Sequence, residues 1–400
     1  MKNEIRKDIF SVGVLNPTLR TFDVLMRTEY GSSYNVYLVK GQNKTALIES
    51  VHRDFFDEFM EKLNDVVDPA EIDYIILNHT EPDHSGSLGR ILEKAPNAVV
   101  VATSTALRFL KNIVNAEFSS LVANDDLVLD LGGRTLQFKT APNLHWPDSM
   151  FTYLPEEKMI FTCDFLGAHY CETQLELSKI YNPELYEEAF KFYFDSIFTP
   201  FKKFVVSGLK KIEGLEINFV ATSHGPAIDS KEAFEKARDL YIKWSAPEED
   251  PGLTATVVYV SAYGYTKRLA LEIVGELKKA HFKVELFNLV YDDPNDAAAA
   301  ALKSKLFFVG SSTINRNALP PIWNFLTGMD AIALGGKTVG VFGSYGWSGE
   351  GVPALKSYLT QMRCKVVGDG FKAIFNPSAL EISGVKEYAN MAIESVSKPK

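Results

Sequence analysis

Four apolar, strand-like runs that lie far apart in this chain each lead into a side chain that binds metal ions well. The first run, residues 72–77, leads into the segment 78–84, which places two imidazoles and two carboxylates within six consecutive residues. The other three runs, 134–142, 158–163 and 218–223, lead to His145, Asp164 and His224. Functional side chains of α/β scaffolds usually lie where strands end. The four runs therefore predict one site that collects ligands from strands distant in sequence.

The composition favours two globular domains and argues against nucleic acid as the main partner. The chain has 400 residues, 46% of them hydrophobic, and a formal net charge of -9. This length exceeds the size at which a single core stops growing. Phosphate binding needs clustered lysine and arginine, and no basic patch stands out. Because neither a signal-peptide core nor the roughly 20 apolar residues of a spanning helix are found, we expect a cytoplasmic protein without a membrane segment.

The cysteines give no sign of a sulfur-ligated metal site. Cys163, Cys171 and Cys364 form no Cys-x-x-Cys pair. We therefore expect reduced, structural thiols and no rubredoxin or zinc-ribbon module in this chain.

The pattern of apolar residues changes at a polar Pro/Gly segment, residues 245–252. Before it, from about residue 34, short β-rich runs alternate with helical stretches such as 53–63 and 184–201. After it, we predict strands at 254–260, 283–289, 305–310 and 338–343 and helices at 266–280 and 295–303. Strands that alternate with long helices predict a parallel, doubly wound sheet. We therefore predict an α/β protein with two domains, residues 1–248 and 253–400.

The histidines are concentrated at the predicted strand ends. Of the seven in the chain, four stand there beside Asp or Glu, although a single histidine would be interpreted as ordinary packing. In an extended segment His79, Glu81 and Asp83 would point the same way, while His84 turns aside where the next helix begins. One short segment can therefore supply ligands to two metal ions.

This pattern resembles the metallo-β-lactamase superfamily and, within it, the flavodiiron proteins. Hydrolases of the superfamily carry His-x-His-x-Asp-His and bind zinc, whereas this chain has Glu81 in place of the second histidine. Imidazoles mixed with several carboxylates suit iron better than zinc. The segment His-Trp-Pro-Asp-Ser-Met at 145–150 also resembles the corresponding family segment. The resemblance implies an N-terminal metallo-β-lactamase-like αββα sandwich with two non-haem iron ions.

The resemblance also implies a role for each ligand. One iron would be held by His79, Glu81 and His145, and the other by Asp83, His84 and His224. Asp164 would bridge the two. His169 and Tyr193 are candidates for hydrogen bonds to a diatomic ligand or its products.

Three loops that follow predicted strands of the second half present hydroxyls, glycines and aromatic rings. The first, 261–266, places hydroxyl and backbone N–H groups at a helix N-terminus, which is a favourable anion site. It resembles a flavodoxin phosphate loop, but Tyr263 replaces the usual threonine. Neither a Gly-x-Gly-x-x-Gly nor a Walker A loop occurs, so FMN fits better than a dinucleotide or a nucleoside triphosphate.

The candidate FMN-binding residues are Ser261, Tyr263, Gly264, Tyr265, Thr266, Ser311, Thr313, Ile314, Asn315, Asn317, Ser344, Tyr345, Gly346, Trp347 and Gly349. Trp347, which glycines flank, is expected to lie against the isoalloxazine ring and shield it from water. The resemblance implies a flavodoxin-like domain.

The resemblance implies an oxidoreductase that passes electrons from an external donor through FMN to the diiron site and reduces O2 to water, NO to N2O, or both. The implied donor is rubredoxin, with reduced coenzyme F420 also open. The implied assembly is a homodimer or a dimer of dimers, in which one chain's FMN lies near its partner's irons. A role in removing oxygen in an anaerobe would fit. The sequence leaves open the preference between O2 and NO.

Two functions of other classes remain open. One is a binuclear zinc hydrolase of thioesters or lactams with an appended flavodoxin module, against which Glu81 and the flavin loops argue. The other is an electron-transfer protein whose N-terminal domain is structural, against which the complete ligand set argues. Metal analysis of anaerobically purified protein would separate iron from zinc.

Overall fold

The computed structural model describes residues 3–24, 26–247 and 252–397. The chain forms two compact units, Met1–Ala246 and Pro247–Lys400. Half of the polar segment 245–252 that we predict to separate the domains, residues 248–251, lies outside the described residues.

The strands of the first unit are β1 (Asn3–Arg6), β2 (Ile9–Ser11), β3 (Val14–Asn16), β4 (Thr21–Phe22), β5 (Met26–Arg27), β6 (Ser32–Tyr34), β7 (Tyr37–Lys40), β8 (Thr45–Ile48), β9 (Tyr74–Ile76), β10 (Val99–Ala102), β11 (Ser120–Val122), β12 (Val128–Asp130), β13 (Thr135–Thr140), β14 (Met150–Leu154), β15 (Met159–Cys163) and β16 (Phe219–Thr222). Its helices are α1 (Phe56–Asn64), α2 (Pro82–Ser85), α3 (Leu88–Lys94), α4 (Ser104–Val114), α5 (Pro183–Tyr193), α6 (Lys202–Lys211) and α7 (Lys231–Ser245).

Two sheets pack face to face in this unit. One has the order β1-β2-β7-β8-β9-β10-β11 and the other the order β12-β13-β14-β15-β16. Ala46 and Ile48 of β8 join the core between the sheets with Phe138 of β13, whereas Leu47 joins the core on the opposite face with Phe59 of α1. Helices α5, α6 and α7 cover the second sheet in the same way. Since both faces of each sheet are covered, the strands read as continuous apolar runs. The predicted αββα sandwich is confirmed.

The predicted helical stretch 184–201 is helical throughout but contains three types of helix. The helical pattern at 184–201 is not one continuous α-helix: α5 ends at Tyr193 and is followed by a π-helical turn, Phe194–Phe198, and a 3-10 turn, Thr199–Phe201. Pro200 has no N–H and cannot continue an i to i−4 ladder, which accounts for the change of helix type.

The strands of the second unit are β17 (Thr254–Val260), β18 (Lys283–Asn288), β19 (Leu306–Ser311), β20 (Thr313–Ile314), β21 (Asn317–Ala318), β22 (Thr338–Tyr345), β23 (Lys365–Val366) and β24 (Phe371–Ile374). Its helices are α8 (Tyr265–Lys279), α9 (Pro294–Lys303), α10 (Pro320–Thr327), α11 (Ala331–Leu334), α12 (Gly351–Gln361) and α13 (Ala379–Ser397).

The main sheet of this unit is parallel and has the order β18-β17-β19-β22, with β23 and β24 both pairing with β22 at the next position. Helices α8 and α13 cover one face, and α9, α10 and α12 cover the other. The predicted flavodoxin-like, doubly wound sheet is therefore confirmed. In this order ligands bind beyond the carboxyl ends of the strands, where the strand order reverses. None of the helices in the described ranges combines the length and apolarity needed to cross a membrane.

Candidate metal centre and flavin cavity

The metal-binding side chains come from the ends of strands in both sheets of the first unit. The segment 78–84 follows β9 of one sheet, whereas His145, Asp164 and His224 follow β13, β15 and β16 of the other. A backbone hydrogen bond from Met150 N to Asn78 O, 2.9 Å long, joins the two sheets at this edge. Sheet packing therefore brings together side chains that are up to 145 positions apart in the chain, from His79 to His224 (224 − 79).

The first ligand group consists of His79, Glu81, His145 and Asp164, with one ligand atom of each within 4.8 Å of the others. Oε2 of Glu81 lies 3.2 Å from Nε2 of His79 and 3.3 Å from Nε2 of His145. Oδ2 of Asp164 lies 3.3 Å from Nε2 of His145. Two imidazoles and two carboxylates thus converge on one position.

The second ligand group consists of Asp83, His84 and His224. Oδ2 of Asp83 lies 3.1 Å from Nε2 of His224 and 3.4 Å from Nε2 of His84. The other oxygen of Asp164, Oδ1, lies 3.0 Å from Nε2 of His84 and 3.3 Å from Nε2 of His224. Asp164 therefore turns one carboxylate oxygen toward each group.

The expectation that His79, Glu81 and Asp83 point the same way is wrong. The extended segment ends at Glu81, because Pro82 begins helix α2 and Glu81 is its N-cap residue. Proline is favoured at the first helical position, where its fixed φ fits and no N–H is needed. Asp83 thus lies in a helical turn with His84 and joins the second group rather than the first.

The charges of the centre act strongly on its protons. Burial alone would lower the pKa of His224, but the Asp164 and Asp83 carboxylates raise it to about 10. Burial and the nearby His79 lower the pKa of His145 to about 4. Burial would raise the pKa of Asp164, yet His84 and His224 hold it well below the usual range. The carboxylates therefore attract positive charge, which protons supply when no metal ion competes.

The buried carboxylate of Asp83 also favours a bound cation. Both carboxylate oxygens of Asp83 are buried, and Oδ2 faces the imidazole nitrogens of His224 and His84 at 3.1 and 3.4 Å. A buried carboxylate needs a cationic partner, which either a protonated imidazole or a metal ion bound between these atoms supplies. Four imidazoles with three carboxylates form a donor set that suits iron. The residues present therefore fit a pair of iron ions.

The remaining nitrogens of two ligand histidines are held by partners that sequence reasoning missed. Nδ1 of His79 lies 3.2 Å from Oδ1 of Asp148, whose other oxygen accepts hydrogen bonds from Thr80 N and Oγ1 at 2.8 and 2.6 Å. Nδ1 of His224 donates to the backbone oxygen of Ser33 at 2.6 Å. Such partners fix the tautomer that turns Nε2 toward a metal. Asp148 stands in the quoted segment 145–150, whereas Ser33 gives no sequence signal.

His169 and Tyr193 lie beside the second ligand group. The His169 ring is 4.8 Å from the His224 ring and 4.9 Å from the Tyr193 ring, centroid to centroid. Nδ1 of His169 bonds the Ser32 hydroxyl at 2.7 Å. Within the described ranges, His169 Nε2 and the Tyr193 hydroxyl are buried without a hydrogen-bond partner. Together with Arg27 and Glu188, both residues line a cavity of about 380 Å³.

Asp23 is a further residue near the centre that the sequence did not indicate. It lies in the turn between β4 and β5 in the left-handed region, with φ of 48°. Partial burial and a hydrogen bond with Glu81 raise its pKa to about 7. A short hairpin thus places an acid beside the first ligand group.

The second unit contains a cavity of about 580 Å³ at the carboxyl ends of β17, β19 and β22. Its lining includes nine predicted FMN residues: Tyr263, Tyr265, Thr313, Ile314, Asn315, Ser344, Tyr345, Gly346 and Trp347. Residues that sequence reasoning missed complete the lining: Ala262, Ser312, Arg316, Ser348 and Phe375. The structure thus brings the three loops together around one space large enough for a planar cofactor.

Thr266 links the three loops below this cavity. Its buried hydroxyl lies 3.1 Å from the Ser312 hydroxyl and 2.8 Å from the Ser344 hydroxyl. Gly264 takes a left-handed conformation, with φ of 83°, at the N-terminus of α8. The buried hydroxyl of Ser261 has no hydrogen-bond partner within residues 252–397. A free hydroxyl beside a helix N-terminus fits the phosphate of FMN.

The other predicted FMN residues do not line the cavity. Ser311 turns its hydroxyl toward the backbone and accepts a hydrogen bond from Leu319 N at 2.9 Å. Asn317 accepts a hydrogen bond from Trp323 Nε1 at 3.1 Å. Gly349 packs against Tyr345, where a Cβ atom would lie 3.1 Å from the ring. These residues shape the loops rather than face the space between them.

Comparisons with known proteins agree over almost the whole chain. A family model described as "ODP family beta lactamase" matches residues 33–225, and one described as "Flavodoxin" matches residues 257–385. The chain is 44% identical over 399 residues to the Flavo-diiron protein FprA2 of Clostridium acetobutylicum, which covers 98% of this chain and 99% of that protein. It is 33% identical over 365 residues to the anaerobic nitric oxide reductase flavorubredoxin of Escherichia coli O1:K1 / APEC, covering 89% of this chain and 74% of that protein.

A solved structure resembles this chain over nearly its whole length. The crystal structure of the flavodiiron protein from Giardia intestinalis is 27% identical to this chain and superposes with a TM-score of 0.67. The match covers 98% of this chain and 97% of that one. The likeness therefore includes both compact units.

Proposed function

Because the chain belongs to the flavo-diiron protein family, we propose that it uses FMN and a pair of iron ions to reduce O2 to water, NO to N2O, or both. The observation that carries this proposal is the position of Asp164, which turns Oδ2 toward one group of imidazole and carboxylate ligands and Oδ1 toward another. Bound FMN supplies two-electron storage, and the iron pair supplies the open positions at which a diatomic ligand is reduced.

We assign the two ligand groups to the two irons. His79, Glu81 and His145 would hold one iron, Asp83, His84 and His224 would hold the other, and Asp164 would offer one carboxylate oxygen to each. The distances between neighbouring ligand atoms, 3.0 to 3.4 Å, support this division. In this arrangement the Nε2 atoms of all four histidines face carboxylates that two histidines share, as ligands around a common metal ion would.

His169 and Tyr193 act on the substrate or product rather than on the iron ions. Their unpartnered Nε2 and hydroxyl atoms face a region where a polar ligand would lie next to His224. Burial lowers the pKa of His169 well below its ordinary value, so this imidazole stays neutral at physiological pH. A neutral ring can donate or accept a hydrogen bond without adding positive charge to the centre.

The three flavin loops divide the binding of FMN. The Ser261 hydroxyl and the N-terminus of α8 bind the phosphate, and the Trp347 ring lies against the isoalloxazine. The exposed state of Trp347, 97% of its surface, supports this role, because an exposed indole has an apolar face to cover.

We propose rubredoxin as the electron donor, with reduced coenzyme F420 as the alternative. The name of the flavorubredoxin relative supports the first choice. We also propose a cytoplasmic homodimer or dimer of dimers, in which FMN of one chain serves the irons of its partner. Size-exclusion chromatography with light scattering tests the assembly, since a fully active monomer would contradict it.

The deciding experiment follows O2 and, separately, NO with electrodes while the reduced, iron- and FMN-loaded protein turns over with one donor system. Loss of O2 without release of peroxide identifies a water-forming oxidase, and loss of NO with appearance of N2O identifies a nitric oxide reductase. Consumption of neither gas contradicts the proposal. Two zinc ions per chain with thioester or lactam hydrolysis would support the hydrolase alternative, which the flavodoxin match and the Glu81 carboxylate disfavour.

A further inference from the structure

A third buried group lies directly behind the metal centre. One ligand atom each of Glu49, His84 and Cys163 lies within 4.8 Å of the others. Nε2 of His84 already faces Asp164 at 3.0 Å, so Nδ1 is the nitrogen of this ring that remains. Among the described residues neither His84 Nδ1 nor Glu49 Oε2 has a hydrogen-bond partner, and both atoms are buried. A donor and an acceptor that lack partners thus lie in the same buried space.

The fold fixes the Glu49 carboxylate firmly. Glu49 follows β8, and its backbone N donates to Ile76 O at 2.8 Å, so it lies beside the end of β9. Its φ of 67° is in the left-handed region, which is strained for a side chain of this kind. Its Oε1 accepts hydrogen bonds from Asn78 N at 3.0 Å and from Asn78 Nδ2 at 2.7 Å. These contacts occupy one carboxylate oxygen and leave Oε2 available.

The next residue holds the backbone of the same histidine. Ser50 N donates to His84 O at 3.0 Å, and Ser50 Oγ donates to the same oxygen at 2.5 Å. Cys163, the third member of the group, offers only a thiol, which is a weak acceptor. Glu49 is therefore the strongest acceptor in the buried group that contains His84, and it lies on a segment that already fixes the His84 backbone, although the structure has no hydrogen bond between the two side chains.

We propose that Glu49 is a positioning residue that accepts the Nδ1–H of His84 and thereby holds Nε2 toward the iron of the second ligand group. This inference rests on the proposed diiron function. Asp148 serves His79 of the first group in the same way. The chain thus has one carboxylate positioner for each iron, one in the loop after β8 and one in the loop before β14, so that the two iron positions can be altered separately.

The test compares Glu49→Gln with Asp148→Asn, a matched pair of isosteric changes that each replace a carboxyl group by an amide. The metal-free variants are titrated with 57Fe(II) without oxygen, and the diferrous forms are compared by Mössbauer spectroscopy. We expect Glu49→Gln to weaken one of the two iron affinities by roughly 10- to 100-fold and to change one quadrupole doublet. Asp148→Asn should change the other doublet, and the double variant should change both.

Glu49→Asp is the conservative control, because it keeps the charge and should recover part of the lost affinity. Thermal unfolding of the metal-free variants shows whether they fold. Should Glu49→Gln not fold, 1H NMR of the Co(II)-loaded native protein replaces it: a slowly exchanging His84 Nδ1–H signal is expected, and rapid exchange overturns the inference.

The outcomes separate this inference from the function on which it depends. Native iron affinity and an unchanged spectrum in Glu49→Gln would overturn the role of Glu49, and so would equal weakening of both irons by each single variant. A native chain that does not bind two irons would instead contradict the proposed function.

Discussion

The metal centre and the flavin cavity are built in opposite ways. At the metal centre the ligands are buried, with His79 and His224 each 1% exposed, and they stand on strand ends of a closed sandwich. At the flavin cavity the aromatic side chains are open, with Tyr263 82% and Trp347 97% exposed, on loops that Thr266 joins from below. The fold therefore preorganises the metal site before any ion binds. The aromatic side chains of the flavin site, in contrast, stay exposed until a ligand binds against them.

The largest expected effect comes from removing the shared ligand of the metal centre. Asp164→Asn deletes the charge that faces both groups, so we expect iron content to fall below one ion per chain and gas reduction to be abolished. FMN binding should be unchanged, because the loops of the flavin cavity are joined by hydrogen bonds of Thr266 that do not involve the metal centre. Iron analysis and flavin absorbance measure both regions in one sample. The exposed change Asp126→Asn is the control, and retention of two irons by Asp164→Asn would show that Asp164 does not bridge.

A smaller effect is expected from separating the flavin loops. Thr266→Val keeps the shape but removes the hydroxyl that contacts Ser312 and Ser344, which we expect to lower the free energy of unfolding by about 1–3 kcal/mol. FMN affinity should fall by roughly 10-fold, as about 1.4 kcal/mol corresponds to a factor of ten. Iron content should stay at two.

The matched control for Thr266→Val is Thr256→Val. Thr256 is also buried, and its hydroxyl has no hydrogen-bond partner within the described part of the second unit. Replacing it should leave stability the same or slightly higher. Equal losses in both variants would show that the loop-joining hydrogen bonds do not contribute.

The metal-free protein should become less stable as pH rises from about 6.5 to 10. The pKa of His224 is raised to about 10 in the folded chain, because Asp164 and Asp83 outweigh the effect of burial, against an ordinary value of 6.5. Its contribution is complete below pH 6.5 and is lost as pH rises through 10. Bound iron replaces the protons, so the loaded protein should not follow this trend. Melting curves of both forms measure the difference, and a flat metal-free curve would contradict it.

The smallest effect on stability is expected from replacing Trp347, the side chain that we expect to lie against the isoalloxazine ring. Trp347→Ala removes an exposed side chain, so the free energy of unfolding without FMN should change by less than about 0.5 kcal/mol. FMN should nevertheless dissociate faster and its fluorescence should change, since one side of the ring becomes open to water. Trp347→Phe should restore much of the cover. A change in iron content would show that the two regions are not independent.

Local sequence patterns determined the elements and the types of side chain at their ends. Strand 254–260 and the parallel order that follows it could be predicted because strand and helix periods differ and both faces of the sheet need apolar residues. Seven candidate ligand residues could be named because imidazoles and carboxylates stand where apolar runs stop. The exception is the direction of Asp83, because helix α2 begins at Pro82, two residues before the helix start expected at His84.

Only the tertiary structure decided which atoms meet. Nothing local to Glu49 or Asp148 indicates that their carboxylates lie behind His84 and His79, since these contacts depend on strand pairing and sheet packing over 35 and 69 positions (84 − 49 and 148 − 79). The pairing of Asp164 with both ligand groups and the joining of three loops by Thr266 depend on packing in the same way. In the sequence, periods of two and 3.6 residues indicate strands and helices and the face on which each side chain lies. The distances between side chains that are remote in the chain follow only from how the sheets stack.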